Sequence, residues 1–272
     1  MKRICVTPAG RQRYLEILQL HMKREYERGN FQEWHLWINT NIQSDIDYIN
    51  QLADENQFIK AVPNPGVYNH NYSIANFYRY CIDEDTVYLR LDDDICFVEK
   101  DAIEKMFKFR ILHENYFLTC GNTINNSLCG HIHQRLGIVD ERHGINQFIC
   151  MDEVGWRNVE YSEYVHRILL SNIIEKQTGR YKFDKWELRE HQRISINVIS
   201  WFGKDFKDFA EGLPPNWDEE HMLTTEVPAH YKKINCICGQ ALFSHFSFFT
   251  QREHLEQTNL LELYKNIAPI FG

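Results

Sequence analysis

The sequence predicts an α/β fold in which a mainly parallel central sheet is flanked by helices. Short runs of apolar residues alternate with segments whose apolar residues recur at spacings of three and four. Alternation of strands and helices at this period is typical of βαβ units, which place successive strands parallel. The chain has 272 residues, of which 43% are hydrophobic and 14% aromatic, so it is long enough to bury a substantial core.

Three strand–helix pairs fill the first part of the chain. The first predicted helix carries Leu15, Leu18 and Met22 on one stripe. The third pair is separated by the turn sequence "PNPG". The predicted strands cover residues 3–8, 34–40 and 57–62, and the predicted helices cover residues 11–27, about 42–53 and 71–82.

The pattern continues past residue 82 and loosens after about residue 140. No Ser- or Gly-rich linker and no internal repeat interrupts it, so we expect one domain spanning residues 1–272. Further strands are predicted at residues 86–91, 116–121 and 193–203, further helices at about 101–113, 160–179 (closed by Gly179) and 258–268, and an acidic loop at 211–223.

Composition excludes some classes of function. The net charge is −8 and no long block of Lys or Arg occurs, which argues against a nucleic-acid partner. Eight cysteines stand at irregular positions, mostly beside apolar residues, as reduced core thiols do. The first residues hold too short an apolar run for a signal peptide, and no segment approaches a membrane span. We therefore expect a cytoplasmic protein.

The stretch "VYLRLDDDICFV", residues 87–98, places three aspartates between two apolar runs. In extended backbone Asp92 and Asp94 face one side and Asp93 faces the other. Carboxylates in such a setting need a compensating cation, and paired carboxylate oxygens suit Mg²⁺ or Mn²⁺. The alternative is a solvated acidic turn. The flanking apolar runs favour the metal site.

The aspartates follow a predicted strand, at the edge of the sheet where α/β proteins bind ligands. Other residues are expected at the same edge because they end the neighbouring strands. These are Thr7 with Pro8, Asn39 with Thr40, and Gly121 with Asn122.

An apolar strand ending in Asp-x-Asp, fourth in a series of βαβ units, resembles the GT-A-fold glycosyltransferases, which use nucleotide-sugar donors. "WDEEHML" resembles the family's acidic pair at Glu219 and Glu220. "GQALFSHFSFFTQR" resembles the segment that carries a late metal-binding histidine, at His245. The similar stretches are residues 3–122 and 214–252, so about 1–122 is expected to be the nucleotide-sugar-binding half and about 123–272 the acceptor and catalytic half.

The resemblance implies roles for individual residues. Asp94 and His245 would bind Mn²⁺ or Mg²⁺, and Asp92 would bind the metal or the ribose. Arg90 interrupts an apolar strand and either pairs with an aspartate or reaches a phosphate. The expected nucleotide-sugar contacts are Thr7, Pro8, Arg11, Asn39, Arg90, Asp92 and Asp93.

The resemblance also implies a general base, which takes the proton of the acceptor hydroxyl. The register of the motif favours Glu220, but the usual aspartate is replaced by glutamate, so Glu219 stays an alternative. A general base implies inversion at the anomeric carbon. Trp201 or Trp217 would provide an amphipathic platform for the acceptor sugar.

The expected function is therefore a metal-dependent glycosyltransferase of hexosyltransferase type, acting in polysaccharide or glycan synthesis. The donor would be a nucleotide-diphosphate sugar, with a UDP-sugar favoured, and the acceptor a carbohydrate. A nucleotidyltransferase is one alternative, although "VTPAGRQR" lacks the glycine-rich basic loop that such enzymes usually carry. The other alternative is a non-catalytic carbohydrate-binding protein of the same fold.

Overall fold

The computed structural model describes residues 1–209 and 218–271, in which nine strands form one sheet. The strands are β1 (Lys2–Ala9), β2 (Glu33–Ile38), β3 (Ile59–Pro63), β4 (Thr86–Leu91), β5 (Ile95–Val98), β6 (Thr119–Ile124), β7 (Lys185–Glu187), β8 (Val198–Phe202) and β9 (Cys236–His245). They lie in the order β3-β2-β1-β4-β8-β6-β9-β5, and β7 pairs with the first part of β9.

Helices connect and cover these strands. They are α1 (Gln12–Glu27), α2 (Gln43–Glu55), α3 (Ala102–Leu112), α4 (Ser127–Arg135), α5 (Val159–Ile174), α6 (Glu219–His221), α7 (Val227–His230), α8 (Arg252–Glu256) and α9 (Leu260–Phe271). Three 3₁₀ helices (His70–Tyr80, Thr178–Tyr181 and Gly203–Phe209) and two π-helical turns (Glu153–Arg157 and Met222–Glu226) complete the described helices.

The predicted α/β class with a mainly parallel sheet is confirmed. In the described sheet β1, β2, β3, β4, β6 and β9 point one way, and β5, β7 and β8 are antiparallel to their neighbours. The strand order reverses between β1 and β4, because β1 pairs with β2 on one side and with β4 on the other. Such a reversal opens a crevice at the carboxyl ends of the two strands.

Both faces of the sheet are covered by apolar residues. Val87 and Leu89 of β4 pack in one core layer, together with the predicted stripe of α1. Tyr88, between them, packs in the opposite layer beside Trp201. Every residue of β4 is buried. The strand that leads to the aspartates is therefore rigidly held from both sides.

Some predicted boundaries are wrong. The helix predicted to close at Gly179 ends at Ile174, because Lys176 adopts a left-handed conformation (φ 57°) and the Gln177 amide donates to the Asn172 carbonyl at 2.7 Å. Lys176 thus adopts the left-handed conformation that glycine usually adopts at the end of a helix. Residues 70–80 are helical as predicted, but of the 3₁₀ kind.

The expectations about thiols and helices can also be compared with the structure. All eight cysteines are unpaired and buried, which confirms the prediction of reduced core thiols. Within residues 1–209 and 218–271, no helix combines the length and the apolar character needed to cross a bilayer.

Candidate functional site

A cleft of about 590 Å³ opens at the carboxyl ends of β1 and β4, where the strand order reverses. It contains most of the residues predicted for the site, together with arginines and aromatic residues contributed by later parts of the chain. The described residues that line it are Pro8, Arg11, Tyr72, Ile74, Arg90, Asp92, Asp93, Asp94, Met151, Trp156, Arg193, Ile196, Asn197, Asp218, Glu219, Glu220, His245, Ser247, Phe248, Phe249 and Arg252.

Asp92, Asp94 and His245 converge in this cleft. One side-chain ligand atom from each lies within 4.8 Å of the others. Asp92 directly follows β4, and its amide donates to the Asn197 carbonyl at 2.9 Å. Asp93 and Asp94 lie in a turn, in which the Ile95 amide donates to the Asp92 carbonyl at 3.2 Å. The alternation predicted for extended backbone is therefore wrong here, and the Asp93 side chain lines the cleft as well. The three residues predicted as metal ligands are nevertheless neighbours in space.

His245 ends β9, which lies antiparallel to β5 immediately after the aspartates. The Phe246 amide donates to the Asp94 carbonyl at 2.8 Å, which fixes the two segments together. Nδ1 of His245 lies 3.3 Å from the Asn125 carbonyl, and Nε2 lies 3.4 Å from Oδ1 of Asp94. Since a carbonyl only accepts, Nδ1 carries a proton and Nε2 is the ring nitrogen that faces Asp94.

The charges of this cluster are strongly perturbed. Burial opposes ionisation of Asp94, but Arg11 and His245 outweigh it and lower the pKa of Asp94. Burial likewise opposes protonation of His245, but Asp94 outweighs it and raises the pKa of the imidazole. Burial raises the pKa of Asp92 in spite of the opposing charge of Arg90. The surroundings thus favour the ionised form of Asp94 and oppose that of Asp92.

The cluster fits a divalent cation. Oδ1 of Asp94 is buried and makes no hydrogen bond in the described part of the chain, although Nε2 of His245 lies 3.4 Å from it. A buried carboxylate oxygen without a partner is costly unless a ligand satisfies it. Two carboxylates and one imidazole nitrogen, aimed into an open cleft, form a donor set for a metal that keeps positions for substrate oxygens.

Asp93 ties the loop after β1 to the end of β4. Its Oδ2 accepts from the Gly10 amide at 3.0 Å, and its carboxylate accepts from Nε of Arg11 at 3.1 Å. Gly10 is needed here because a Cβ at this position would lie 2.8 Å from the Asn39 carbonyl oxygen. Arg11 also reaches Oδ2 of Asp94 at 3.0 Å. The Gly10 amide and the Arg11 side chain therefore hold the loop after β1 against Asp93 and Asp94.

Two predicted contacts lie away from the cleft. The Thr7 hydroxyl is fully buried and accepts from Nε1 of Trp34 at 3.0 Å. The Asn39 side chain accepts from Asn64 at 3.0 Å and from Ser73 at 2.8 Å. Neither residue is among the described residues that line the cleft, whereas Pro8 is.

Arg90 forms the buried ion pair that was one of its two predicted roles. Its guanidinium donates to Oδ1 of Asp92 at 3.0 and 2.9 Å, to the Tyr78 hydroxyl at 2.6 Å, and to Oε1 of Glu219. The side chain is only 4% exposed. Arg90 therefore connects one candidate metal ligand to the candidate acidic pair.

The acidic pair begins helix α6, whose first turn is capped by the Asp218 carboxylate. Glu219 is turned towards Arg90, and burial raises its pKa although Arg90 opposes this. Oε1 of Glu220 accepts from Nε of Arg193 at 2.7 Å and from the Cys150 thiol at 3.1 Å. Both glutamates line the cleft, in different surroundings.

Several cleft residues escaped the sequence analysis. Arg193, Asn197 and Trp156 carry no motif, and they lie in the segment that the resemblance left unassigned. Arg252, whose Nη2 lies 3.7 Å from Oδ2 of Asp94, lies at the end of a stretch quoted only for its histidine.

The prediction of a platform at Trp201 is wrong. Its ring is fully buried in the core, and Nε1 donates to the Cys81 carbonyl at 3.1 Å, because Trp201 lies in the middle strand β8. Trp217, the other candidate, falls outside the described residues.

Comparison with known proteins adds little to this description. No family model matches the chain, and no curated protein matches it. Among solved structures, the chain is similar to the crystal structure of 4-diphosphocytidyl-2C-methyl-D-erythritol synthase from Anaerococcus prevotii DSM 20548. The two are 9% identical with a TM-score of 0.46, and the match covers 95% of this chain and 96% of that one. Likeness at that level does not extend to function, so the site is interpreted from its own geometry.

Proposed function

We propose that this chain is a metal-dependent glycosyltransferase. It would move a sugar from a nucleotide-diphosphate donor, with a UDP-sugar favoured, to a carbohydrate acceptor in polysaccharide or glycan synthesis. The observation that carries the proposal is the cluster of Asp92, Asp94 and His245 in a cleft that also contains Glu219 and Glu220.

The donor would lie at the reversal between β1 and β4. Asp92, Asp94 and His245 would hold Mn²⁺ or Mg²⁺, which supplies charge neutralisation to the leaving diphosphate. Arg11 and Arg252 both approach Oδ2 of Asp94, so their remaining donors are placed to bind phosphate oxygens. Asp92 carries more than one role, because it also keeps Arg90 oriented.

We assign abstraction of the acceptor proton to Glu220 and a charge-balancing role to Glu219. Both glutamates pair with an arginine, Glu219 with Arg90 and Glu220 with Arg193, but the Glu220 side chain is the more exposed, at 21% against 13%. Glu219 remains the competitor, since a carboxyl whose pKa is raised by burial is a stronger base. Proton removal by either glutamate fits an inverting displacement.

The decisive experiment is a calorimetric titration of UDP and GDP with and without Mn²⁺. We expect binding that requires the metal in the wild-type protein and is lost in Asp94→Asn. Asp54→Asn, an exposed aspartate on α2, is the matched control and should bind like the wild type. Absence of nucleotide binding to the wild type under all these conditions overturns the proposal.

The reaction product separates the two enzyme classes. A glycosyltransferase releases a nucleoside diphosphate from a UDP-sugar, whereas a nucleotidyltransferase releases pyrophosphate from a nucleoside triphosphate and a sugar phosphate. We expect UDP as the product. Pyrophosphate release that depends on Asp94 would replace the proposal with its alternative, and metal-dependent binding without either product would leave a carbohydrate-binding protein.

A further inference from the structure

One side of the cleft presents an aromatic lip, defined here as Trp156, Phe248 and Phe249. The Trp156 and Phe249 rings meet edge to face, with centroids 5.1 Å apart and an angle of 84°. Phe248 lies next to the cluster, its ring 4.7 Å from that of His245. The Phe249 side chain is 68% exposed, so the lip offers an open apolar surface to whatever enters the cleft.

The backbone that carries Trp156 is closely fixed. Trp156 lies on the π-helical turn Glu153–Arg157, a form of helix found often at functional sites. The Asp152 carboxylate caps this turn by accepting from the Val154 amide at 2.9 Å and the Gly155 amide at 2.8 Å. A Cβ at Gly155 would lie 2.6 Å from Nδ2 of Asn146, so only glycine allows this approach. The Asp152 cap and the close packing at Gly155 thus fix the backbone that places Trp156 in the cleft.

Hydrogen bonds also join the lip to the metal cluster. Nδ2 of Asn125 donates to Oε1 of Gln251 at 2.9 Å, and Nε2 of Gln251 donates to the Gly155 carbonyl at 3.4 Å. The Asn125 carbonyl is the group that orients His245. The position of Trp156 is therefore set relative to the atoms at which the transfer would take place.

We propose that the aromatic lip binds the acceptor, and that the acceptor presents a pyranose ring whose C–H face lies on Trp156. This inference rests on the proposed function. The donor takes the crevice between β1 and β4, whereas the lip is built from the turn at 153–157 and the segment after β9. One face of a pyranose exposes C–H groups and its rim exposes hydroxyls, which matches an aromatic surface in a cleft that also contains Arg193 and Glu220.

The test uses Phe249→Ala, whose exposed side chain is not needed for folding, together with Trp156→Ala and Trp156→Phe. Tyr80→Ala is the matched control, because Tyr80 is also an exposed aromatic residue (54%) but does not line the cleft. The probes are the methyl α- and β-glycosides of glucose and galactose. Saturation-transfer NMR measures their binding in the presence of UDP and Mg²⁺, since Mn²⁺ would broaden the signals, and calorimetry measures UDP affinity in parallel.

We expect glycoside binding to the wild type and to Tyr80→Ala. In Phe249→Ala and Trp156→Ala it should weaken on the order of tenfold or more, because the apolar contact is lost, and Trp156→Phe should retain part of it. UDP affinity should be equal in all variants. Glycoside binding that is absent from the wild type, or unchanged in Trp156→Ala, overturns the inference. Loss of UDP affinity in Trp156→Ala overturns it too, by assigning the lip to the nucleotide. Failure of both UDP and GDP to bind the wild type rejects the proposed function instead.

Discussion

Nη2 of Arg11 lies 3.0 Å from Oδ2 of Asp94, while the same guanidinium binds Asp93. One arginine on the loop after β1 thus compensates two of the three aspartates that follow β4. Burial opposes the charge of Arg11, but Asp93 and Asp94 outweigh it and raise the pKa of the guanidinium. The other oxygen of Asp94, Oδ1, faces His245. One carboxylate oxygen thus pairs with Arg11, and the other is available to the proposed metal.

Replacing Arg11 by alanine should therefore destabilise the metal-free protein. Removing Arg11, whose side chain is 25% exposed, leaves the buried carboxylates of Asp93 and Asp94 less compensated, and we expect the free energy of unfolding to fall by about 3 kcal/mol. Mn²⁺ should stabilise both proteins, because it binds only the folded state, and should stabilise the variant more, because Asp94 has lost a competing cation. Denaturant unfolding with and without Mn²⁺ measures both effects.

Arg13→Ala is the control for this experiment. Arg13 lies two residues away and pairs with Glu256, but its side chain is 50% exposed, so its loss should cost at most about 1 kcal/mol. Equal losses in the two variants would contradict the central role given to Arg11.

The second prediction concerns pH. Asp94 raises the pKa of His245 above its ordinary value of 6.5, although burial opposes this. A group whose pKa is raised on folding contributes stability that is complete below pH 6.5 and is lost as the pH rises through the folded-state pKa. Metal binding needs the neutral ring, so Mn²⁺ affinity should increase over the same interval. Metal-free unfolding and Mn²⁺ titrations at a series of pH values should slope in opposite directions.

His245→Asn should reduce both slopes, since asparagine does not titrate. A wild-type Mn²⁺ affinity that is the same on both sides of the His245 transition would speak against ligation by this residue.

Third, substitutions of Glu219 and Glu220 should have different effects on kcat. Glu220→Gln removes the assigned base, so we expect kcat for transfer to fall by about 10²–10⁴ with UDP affinity unchanged. Glu219→Gln keeps the hydrogen-bonding shape beside Arg90 and should lower kcat less. A larger loss in Glu219→Gln would transfer the role of base to that residue.

Fourth, protein stability and Mn²⁺ affinity should depend on the backbone conformation of residue 125. Its φ is 58°, in the left-handed region, and this conformation directs its carbonyl to Nδ1 of His245. Alanine and glycine both lose the Asn125 side chain, but only alanine has a Cβ that disfavours this region, by about 1 kcal/mol. We expect Asn125→Ala to unfold more easily than Asn125→Gly and to bind Mn²⁺ about tenfold more weakly, as for other groups that orient metal ligands. Identical Mn²⁺ affinities would limit Asn125 to a structural role.

Local pattern was sufficient to predict strands β1 to β4 and the edge at which the cleft opens, but it did not predict β5. It also did not predict the turn at Asp93 and Asp94, because side chains alternate only along an extended segment. The same rule explains Thr7. Val6 packs on one core layer and Cys5 on the other, so Thr7 shares the face of Cys5 and points away from the cleft.

Contacts between distant segments could not be read in the same way. Arg193 donates to Glu220, which lies 27 residues later in the chain, and Arg193 belongs to no motif. Asn125 contacts His245 through its backbone carbonyl, which no pattern of side chains predicts. Trp156 lies on a π-helical turn, whose spacing matches neither the helix nor the strand period used to interpret the sequence. The prediction for Trp201 failed because the amphipathic character of tryptophan does not show whether a strand residue is buried, and Trp201 is fully buried.

The position of β9 has a consequence for the order in which the protein is made. β5 directly follows the aspartates, and its one neighbour in the described sheet is β9, which inserts between β5 and β6. During synthesis, β5 therefore cannot form its pairing with β9 until residues 236–245 have left the ribosome, and its apolar edge stays unpaired until then. Such an edge invites association between nascent chains. The strand that protects it ends in His245, so closing the sheet and completing the proposed metal site are one event in biosynthesis.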